Sequence, residues 1–351
     1  MKNQSLSPFI EQLVISQSRL NGLIDSFNLV SLLVIGDLTL DEFVTGQVER
    51  ISREAPVLIL RHEDTRQIPG GGANAVYNLA KLGARVKACG LVGKDAQGEA
   101  LKSIFQAVEI DITGIFTDQQ RPTVTKSRIS GHARQSVTQQ IVRIDRKSDE
   151  FPSLELQLQL AEYIQSQKNT VEAIVCSDYG DGVFTQPVIE ASLTHSRVVV
   201  DTQKDLPRYQ KATLFTPNLP EAEQAVGYRI HDEKTLQQAG KDLLEKTNAQ
   251  QMLITRGEDG MSGFYYDEQG IIQSWQIPAF NRTDVFDVTG AGDTVVAALT
   301  LGLCVGASFW EAAVLGNLAA SIVVRQFGTA TTTPEEIKQA LAILIEDYQN
   351  L

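Results

Sequence analysis

Along most of the chain, two kinds of hydrophobic spacing take turns. Short, mostly apolar runs rich in Val, Leu and Ile recur at 29–35, 86–92, 173–176, 197–200, 214–216 and 252–255. Apolar residues at consecutive positions over such lengths predict strands buried on both faces. Between these runs, at 76–82, 96–105, 153–167, 187–193, 219–226 and 235–247, apolar residues stand three or four apart, which predicts helices with one apolar face. Two further strands are predicted at 261–266 and 270–278, and two long helices at 293–304 and 308–326. Strand and helix in alternation predict an α/β fold, a mostly parallel central sheet with helices on both faces.

Two segments depart from this pattern. Over 43–69 and again over 123–144, polar and apolar residues alternate with no helical period. They predict a small β-sheet inserted into the main domain and standing off it as a lid. Such a sheet has edges that need covering, so a homodimer formed through the lid is expected. Residues 1–28 carry Phe9, Leu13, Leu20, Leu23 and Ile24 at near-helical spacing, an N-terminal helical extension to a body spanning 29–351. One large domain with a lid fits better than two independent domains.

The totals narrow the function. Of 351 residues, 42% are hydrophobic and 21% charged, which is ordinary globular composition. A net charge of −12 argues against nucleic acid or an anionic membrane surface as partner. Cys89, Cys176 and Cys304 are scattered among apolar residues or glycine and read as buried thiols of a reducing compartment. The four histidines are dispersed too, so a structural zinc is not expected. The first thirty residues include Glu11 and Asp25 and lack the basic and apolar regions of a signal peptide, and no apolar run reaches membrane-spanning length. The expected location is the cytoplasm.

Polar residues follow several predicted strands: Asp37 and Asp41, then Ser177 to Gly182, Asp201 and Thr202, Asn218 and Glu221, and Arg256 to Glu258. Open α/β sheets bind ligands at the carboxyl ends of their strands, so these residues predict one polar cleft. Gly70-Gly71-Gly72-Ala73-Asn74-Ala75 opens a helix and formally matches the dinucleotide pattern G-x-G-x-x-A. That pattern belongs directly after a buried strand, and 66–69 is not one, so a dehydrogenase is disfavoured. No Walker A sequence is present.

The most informative stretch is Asp287-Val288-Thr289-Gly290-Ala291-Gly292-Asp293, which runs straight into an Ala-rich helix. Helix N-termini hold anions, and small residues leave their amides uncovered. A carboxylate there repels phosphate, yet makes sense as the base that takes a proton from an acceptor hydroxyl. The bland alternative is an N-cap. Asn218 and Glu221 likewise suit either magnesium or a helix cap with a first-turn acid.

In this order the motifs resemble those of the ribokinase-like (PfkB) carbohydrate kinases, over about residues 32–344. The 287–293 turn matches the signature D-T-x-G-A-G-D, with Val288 in place of Thr; 70–74 matches the glycine signature and 218–221 the N-x-x-E motif. Within the family, 36–41, 50–56, 121–126, 141–145, 316–320 and 328–331 are most similar to D-glycero-β-D-manno-heptose 7-phosphate kinases. The resemblance implies ATP and Mg2+ as cofactors and leaves room for a monovalent cation. It implies Asp293 as base and Gly290, Ala291 and Gly292 as the anion hole. It further implies Asp37, Gly71, Gly72, Asn74 and Arg143 around the sugar. Asn218 and Glu221 would serve the metal and ATP phosphates, with Glu221 toward the metal. Thr255, Gly257 and Asn317 would border the nucleotide.

Some members carry an adenylyltransferase domain after the kinase; since the sequence stops soon after the kinase, that activity is expected to be absent. One departure stands out: Asp181 replaces a lysine in the family's Asp-Tyr-x-Lys-Gly. Either Arg256 or Lys204 substitutes, or the lysine is dispensable, or the substrate has changed. Two rival readings therefore stay open: a kinase for ribose, fructose or a nucleoside, and a catalytically weak binding protein.

Overall fold

The computed structural model describes residues 8–133, 137–203, 205–281, 285, 287–326 and 328–349. In chain order its first half contains α1 (Pro8–Asp25), β1 (Ser31–Gly36), β2 (Leu38–Ile51), β3 (Leu58–Gly71), α2 (Gly72–Lys81), β4 (Arg85–Gly93), α3 (Ala96–Gln106), β5 (Asp111–Asp118), β6 (Val124–His132) and β7 (Gln139–Arg146). There follow α4 (Leu154–Gln167), β8 (Ala173–Asp178), α5 (Gln186–Ser192), β9 (Val198–Thr202), β10 (Leu214–Phe215), α6 (Leu219–Val226) and α7 (Glu233–Thr247). The last elements are β11 (Gln251–Thr255), β12 (Met261–Tyr266), β13 (Ile272–Ile277), α8 (Ala291–Cys304), α9 (Phe309–Val323) and α10 (Pro334–Gln349).

The main sheet has nine strands in the order β13-β12-β11-β10-β9-β8-β1-β4-β5. Pairing is parallel from β11 to β5, while β12 and β13 run antiparallel at one edge. Side chains on a strand alternate between faces, and β1 feeds two cores in this way. Leu32 and Val34 join a layer with α1, α2, α3, α8, α9 and α10, and Leu33 and Ile35 join one with α4, α5, α6 and α7. This two-sided burial is why the strand runs are mostly apolar.

The second sheet, ordered β3-β2-β6-β7, is the anticipated lid. β2 pairs parallel with β6, and the two hairpin pairings are antiparallel. Only Asp37 separates the end of β1 from the start of β2, so the chain crosses from one sheet to the other through that residue. All of β7 is exposed, including Ile141, Val142 and Ile144.

Two elements were not anticipated. β5, Asp-Ile-Thr-Gly-Ile-Phe-Thr-Asp, is an edge strand with acids at both ends and Gly114 inside, so its apolar signal is thin. α10 packs against α1 and α9 through Ile337, Leu341 and Ile345. Within the described part of the N-terminal extension, α1 buries Leu13, Leu20, Leu23 and Ile24 against the body. Arg19 Nε donates to Glu311 Oε1 at 2.6 Å, anchoring it to the capping box of α9. The cysteines are free, and burial pushes the Cys176 thiol up to about 12 and the Cys304 thiol up to about 11. No described helix is long and apolar enough to cross a membrane.

Candidate active site

Gly290 caps α8 in the left-handed conformation, φ 78°, which closes the turn that delivers Asp293 to the first turn of the helix. A Cβ at Gly290 would stand 2.6 Å from Asn74 Nδ2. Glycine there permits the contact on which the site depends: Asn74 Nδ2 donates to Asp293 Oδ2 at 2.7 Å. Tyr179 Oη donates to the other oxygen, Oδ1, at 3.0 Å. Behind Asn74, Asn78 Nδ2 donates to its Oδ1 at 3.0 Å, and Thr294 Oγ1 donates to Asn78 Oδ1 at 3.0 Å. Asp293 is 3% exposed. Burial pushes its carboxyl up to about 6, the Asn74 and Tyr179 hydrogen bonds pull it down, and Asp41 and Lys126 act in opposite directions. The first amides of α8 lack acceptors within the helix. Of the three residues expected to hold an anion, Ala291 also donates its N–H to Val288 O at 3.2 Å, completing the turn.

Asp37 is placed otherwise than as a free sugar ligand. Its Oδ2 accepts the N–H groups of Tyr179 at 2.9 Å and Asp181 at 3.1 Å, and its Oδ1 accepts that of Val183 at 3.0 Å. Burial and the Asp178 carboxylate push it up to about 7 against the pull of these amides. The carboxylate clamps the 179–183 turn that presents Tyr179. Gly72 serves close packing too: a Cβ on it would come 2.8 Å from Gly36 Cα, and its N–H donates to Asp37 O at 3.0 Å. Gly71 pairs with Leu38 where the two sheets meet.

Asp41, the second acid of that segment, acts electrostatically on Asp293. It is 3% exposed, and its Oδ1 accepts Arg128 Nη1 at 2.8 Å. In the register of the lid, Asp41 stands opposite Lys126 and Arg128 opposite Arg143. Arg143, expected beside the sugar, lies on exposed β7 with both oxygens of Asp145 at 2.8 and 2.9 Å. Lys126 holds its ammonium 5.6 Å from the Tyr179 ring centroid and faces Asp293 electrostatically. Tyr179 and Asp201 were expected only as part of the polar cleft and Lys126 only within the 121–126 motif, none with a role of its own, and the lid alternation was the only signal for Arg128.

Toward the other end of the cleft, Asn218 and Glu221 form a reciprocal capping box on α6, with N···O distances of 2.8 and 2.9 Å. The cap and the functional reading thus coexist, since Glu221 Oε1 takes no hydrogen bond among the described residues. Burial raises the Glu221 pKa. Burial, then the carboxylates of Asp293 and Glu221, lifts Asp201 well above the carboxylate range. No three acid, histidine or cysteine side chains among the described residues are grouped to ligate a metal directly. Next to these acids lies a cavity of about 430 Å3 lined by Thr255, Gly257, Asn317, Ala291 and Gly292, with apolar walls from Phe280 and Val295. It brings together all three residues expected to border a nucleotide with the start of α8.

The acid that replaces lysine, Asp181, is balanced locally: Lys147 Nζ lies 3.5 Å from its Oδ1, and Arg121 donates to its carbonyl. Arg256, one suggested replacement, is turned to Asp259 O and Gln276 Oε1 at 2.9 and 3.2 Å. The other, Lys204, lies outside the described residues.

Comparison with known proteins agrees with this architecture. The chain is 41% identical over 321 residues to the bifunctional protein HldE of Pelobacter propionicus, covering 90% of this chain and 64% of that protein. It is 42% identical to HldE of Geobacter metallireducens, covering 88% of this chain and 62% of that one. The chain thus spans somewhat less than two thirds of the curated relatives it matches. Among solved structures it superposes on phosphofructokinase-2 from Escherichia coli in complex with potassium, with a TM-score of 0.71 and 21% identity over 90% of this chain and 99% of the other. Ribokinase of Arabidopsis thaliana complexed with ribose and ATP gives a TM-score of 0.66 at 18% identity, over 90% and 99% of the two chains. These structures share the fold. The profile of the pfkB family carbohydrate kinase matches residues 31–336, and the chain belongs to that family.

Proposed function

We propose that the chain is an Mg-ATP-dependent sugar-phosphate kinase, with D-glycero-β-D-manno-heptose 7-phosphate as acceptor and the 1,7-bisphosphate as product. The observation that carries this reading is Asp293, fixed through both oxygens at the mouth of α8 beside the 430 Å3 cavity. The resemblance of 36–41, 50–56 and 121–126 to heptose kinases, and relatives named HldE along 88–90% of the chain, support the acceptor.

In this reading Asp293 removes the proton of the acceptor hydroxyl as its oxygen bonds to the γ-phosphorus of ATP. The bond from that phosphorus to the bridging oxygen breaks, and ADP leaves with the electron pair. The amides of Gly290 and Gly292, joined by that of Ala291 once it leaves Val288 O, would meet the transferring group, where a helix N-terminus stabilises the spread negative charge. Thr255, Gly257 and Asn317 border the nucleotide. Asp201, raised by burial and then by the carboxylates of Asp293 and Glu221, and Glu221, raised by burial, suit a divalent cation that would restore their charge, with Mg2+ held in part through water. Bound Mg2+ would neutralise charge on the ATP phosphates. Asn74 and Tyr179 orient the base throughout. A cytoplasmic location, where ATP is available, and a homodimer through β7 and its exposed Ile141, Val142 and Ile144 belong to the same proposal.

The test is ADP release from Mg-ATP and heptose 7-phosphate by the wild type and Asp293→Asn. Removing a general base costs about 10²–10⁴ in rate, so the variant is expected to lose kcat by about that factor with ATP binding retained. An Asp293→Asn enzyme as fast as the wild type would remove Asp293 from the chemistry.

A further inference from the structure

The inner face of the lid carries a row of side chains set by strand register. Phe43 on β2 stands opposite Arg66 on β3 and opposite Arg128 on β6, and Arg128 stands opposite Arg143 on β7. Directly paired residues present their side chains on the same face of a sheet. Three guanidinium groups therefore share one row, separated by a single aromatic ring. A cavity of about 700 Å3 opens onto this row, bordered by Arg66, Phe43 and Arg128 on the lid and by Asp287, Thr289 and Gly328 beside the catalytic turn.

The three arginines are not equivalent. Arg143 is closed off by both oxygens of Asp145. Arg128 is held in place, 17% exposed, with Nη1 on Asp41 at 2.8 Å and its guanidinium carbon 5.2 Å from the centroid of the Phe43 ring. Its Nε and Nη2 take no acceptor among the described residues, which leaves an edge of the fork open. Arg66 makes no hydrogen bond or ion pair among the described residues. Asp287 borders this cavity as a carboxylate, kept ionised by the N–H groups of Thr289 and Gly328, both at 2.9 Å, and by the charge of Arg128, which offsets its own. Asp64, two residues from Arg66 on β3, is the other acid at the cavity.

We infer that Arg66 and Arg128 form the subsite for the phosphate group that the sugar already carries. A pre-positioned guanidinium edge suits two phosphate oxygens at once, and a second, exposed guanidinium across the ring can meet the third. The arrangement selects a phosphorylated sugar over a neutral one. Asp41, tied to Arg128, links recognition of this distal phosphate to the region of Asp293. The inference rests on the sugar-phosphate reading above.

The experiment measures kcat and KM for heptose 7-phosphate and for the same heptose without phosphate, with inorganic phosphate as a competitor. It compares the wild type, Arg66→Gln and Arg128→Gln, with Arg61→Gln as a control that sits on the lid away from the cavity. Losing one charge-assisted contact to phosphate costs about tenfold or more in affinity. Both variants are expected to raise KM for the phosphorylated sugar by about that factor and to lose sensitivity to inorganic phosphate. For Arg66→Gln, turnover of the unphosphorylated sugar is expected to stay as in the wild type, whereas Arg128→Gln also strips the buried Asp41 carboxylate of its partner and is read on the phosphorylated sugar alone. Arg66 is exposed and has no partner among the described residues, so Arg66→Gln is expected to fold normally and carries the test. A wild-type KM in Arg66→Gln, or an equal rise for both sugars, overturns the inference while the kinase reading stands. A wild type that phosphorylates only unphosphorylated sugars overturns both.

Discussion

A base that takes a proton from a sugar hydroxyl must be ionised at working pH, yet keep enough affinity for the proton to accept it. Asp293 meets both demands by balance: burial pushes it up to about 6, while donors from Asn74 and Tyr179 keep it from rising further. The carboxylate is the active form, so kcat/KM is expected to fall as pH drops through about 6. Tyr179→Phe removes a donor that favours the ionised form, so its acidic limb should move to higher pH. A pH–rate profile with saturating ATP checks this, and an unmoved limb would show that Tyr179 does not act through Asp293. The proposed base was legible as a candidate in the sequence because its motif is local. Its partners were not legible as partners: Asn74 lies 219 residues away and Tyr179 lies 114 away, so only the fold brings them together.

At the junction between the two sheets, Asp37 has a structural task beside the sugar contact expected of it. The sequence places an acid at the end of a buried strand, where ligands bind, and a sugar contact follows from that position. In the folded chain three backbone N–H groups of the 179–183 turn already occupy its oxygens. Buried donors without an acceptor cost about 1–3 kcal/mol each before relaxation or water. Asp37→Ala is accordingly expected to lose about 2–4 kcal/mol of stability in denaturant unfolding, together with kcat through Tyr179. A variant of unchanged stability with only a raised sugar KM would return Asp37 to the sugar. The strands and helices themselves were largely legible, because two-sided burial writes itself as mostly apolar runs. β5 escaped because an edge strand buries less and needs fewer apolar residues. The lid was legible by its alternation, whereas what each of its arginines meets is not. Arg128 on inner strand β6 reaches Asp41, while Arg143, opposite it on the exposed strand β7, is closed off by Asp145.

The two sheets differ in how completely they are covered. The nine-stranded sheet has helices over both faces, while β7 of the lid exposes Ile141, Val142 and Ile144, and Ile51 and Leu58 are exposed on β2 and β3. An apolar surface on an edge strand invites a second chain. Light scattering is expected to return twice the 38.5 kDa of one chain, and Ile144→Lys is expected to shift the mass toward a single chain. A wild type of 38.5 kDa would leave the lid uncovered and the dimer unsupported. The Lys147 contact to Asp181 bears on the catalytically weak alternative, since the charge reversal that motivated it is balanced within the chain. The most direct measurement is kcat/KM for ADP release from Mg-ATP across heptose 7-phosphate, fructose 6-phosphate, ribose, fructose and adenosine. The phosphorylated heptose is expected to exceed every other acceptor by at least about tenfold. A preference for ribose, fructose or adenosine, or no turnover of any acceptor by a protein that binds ATP, would contradict the sugar-phosphate kinase.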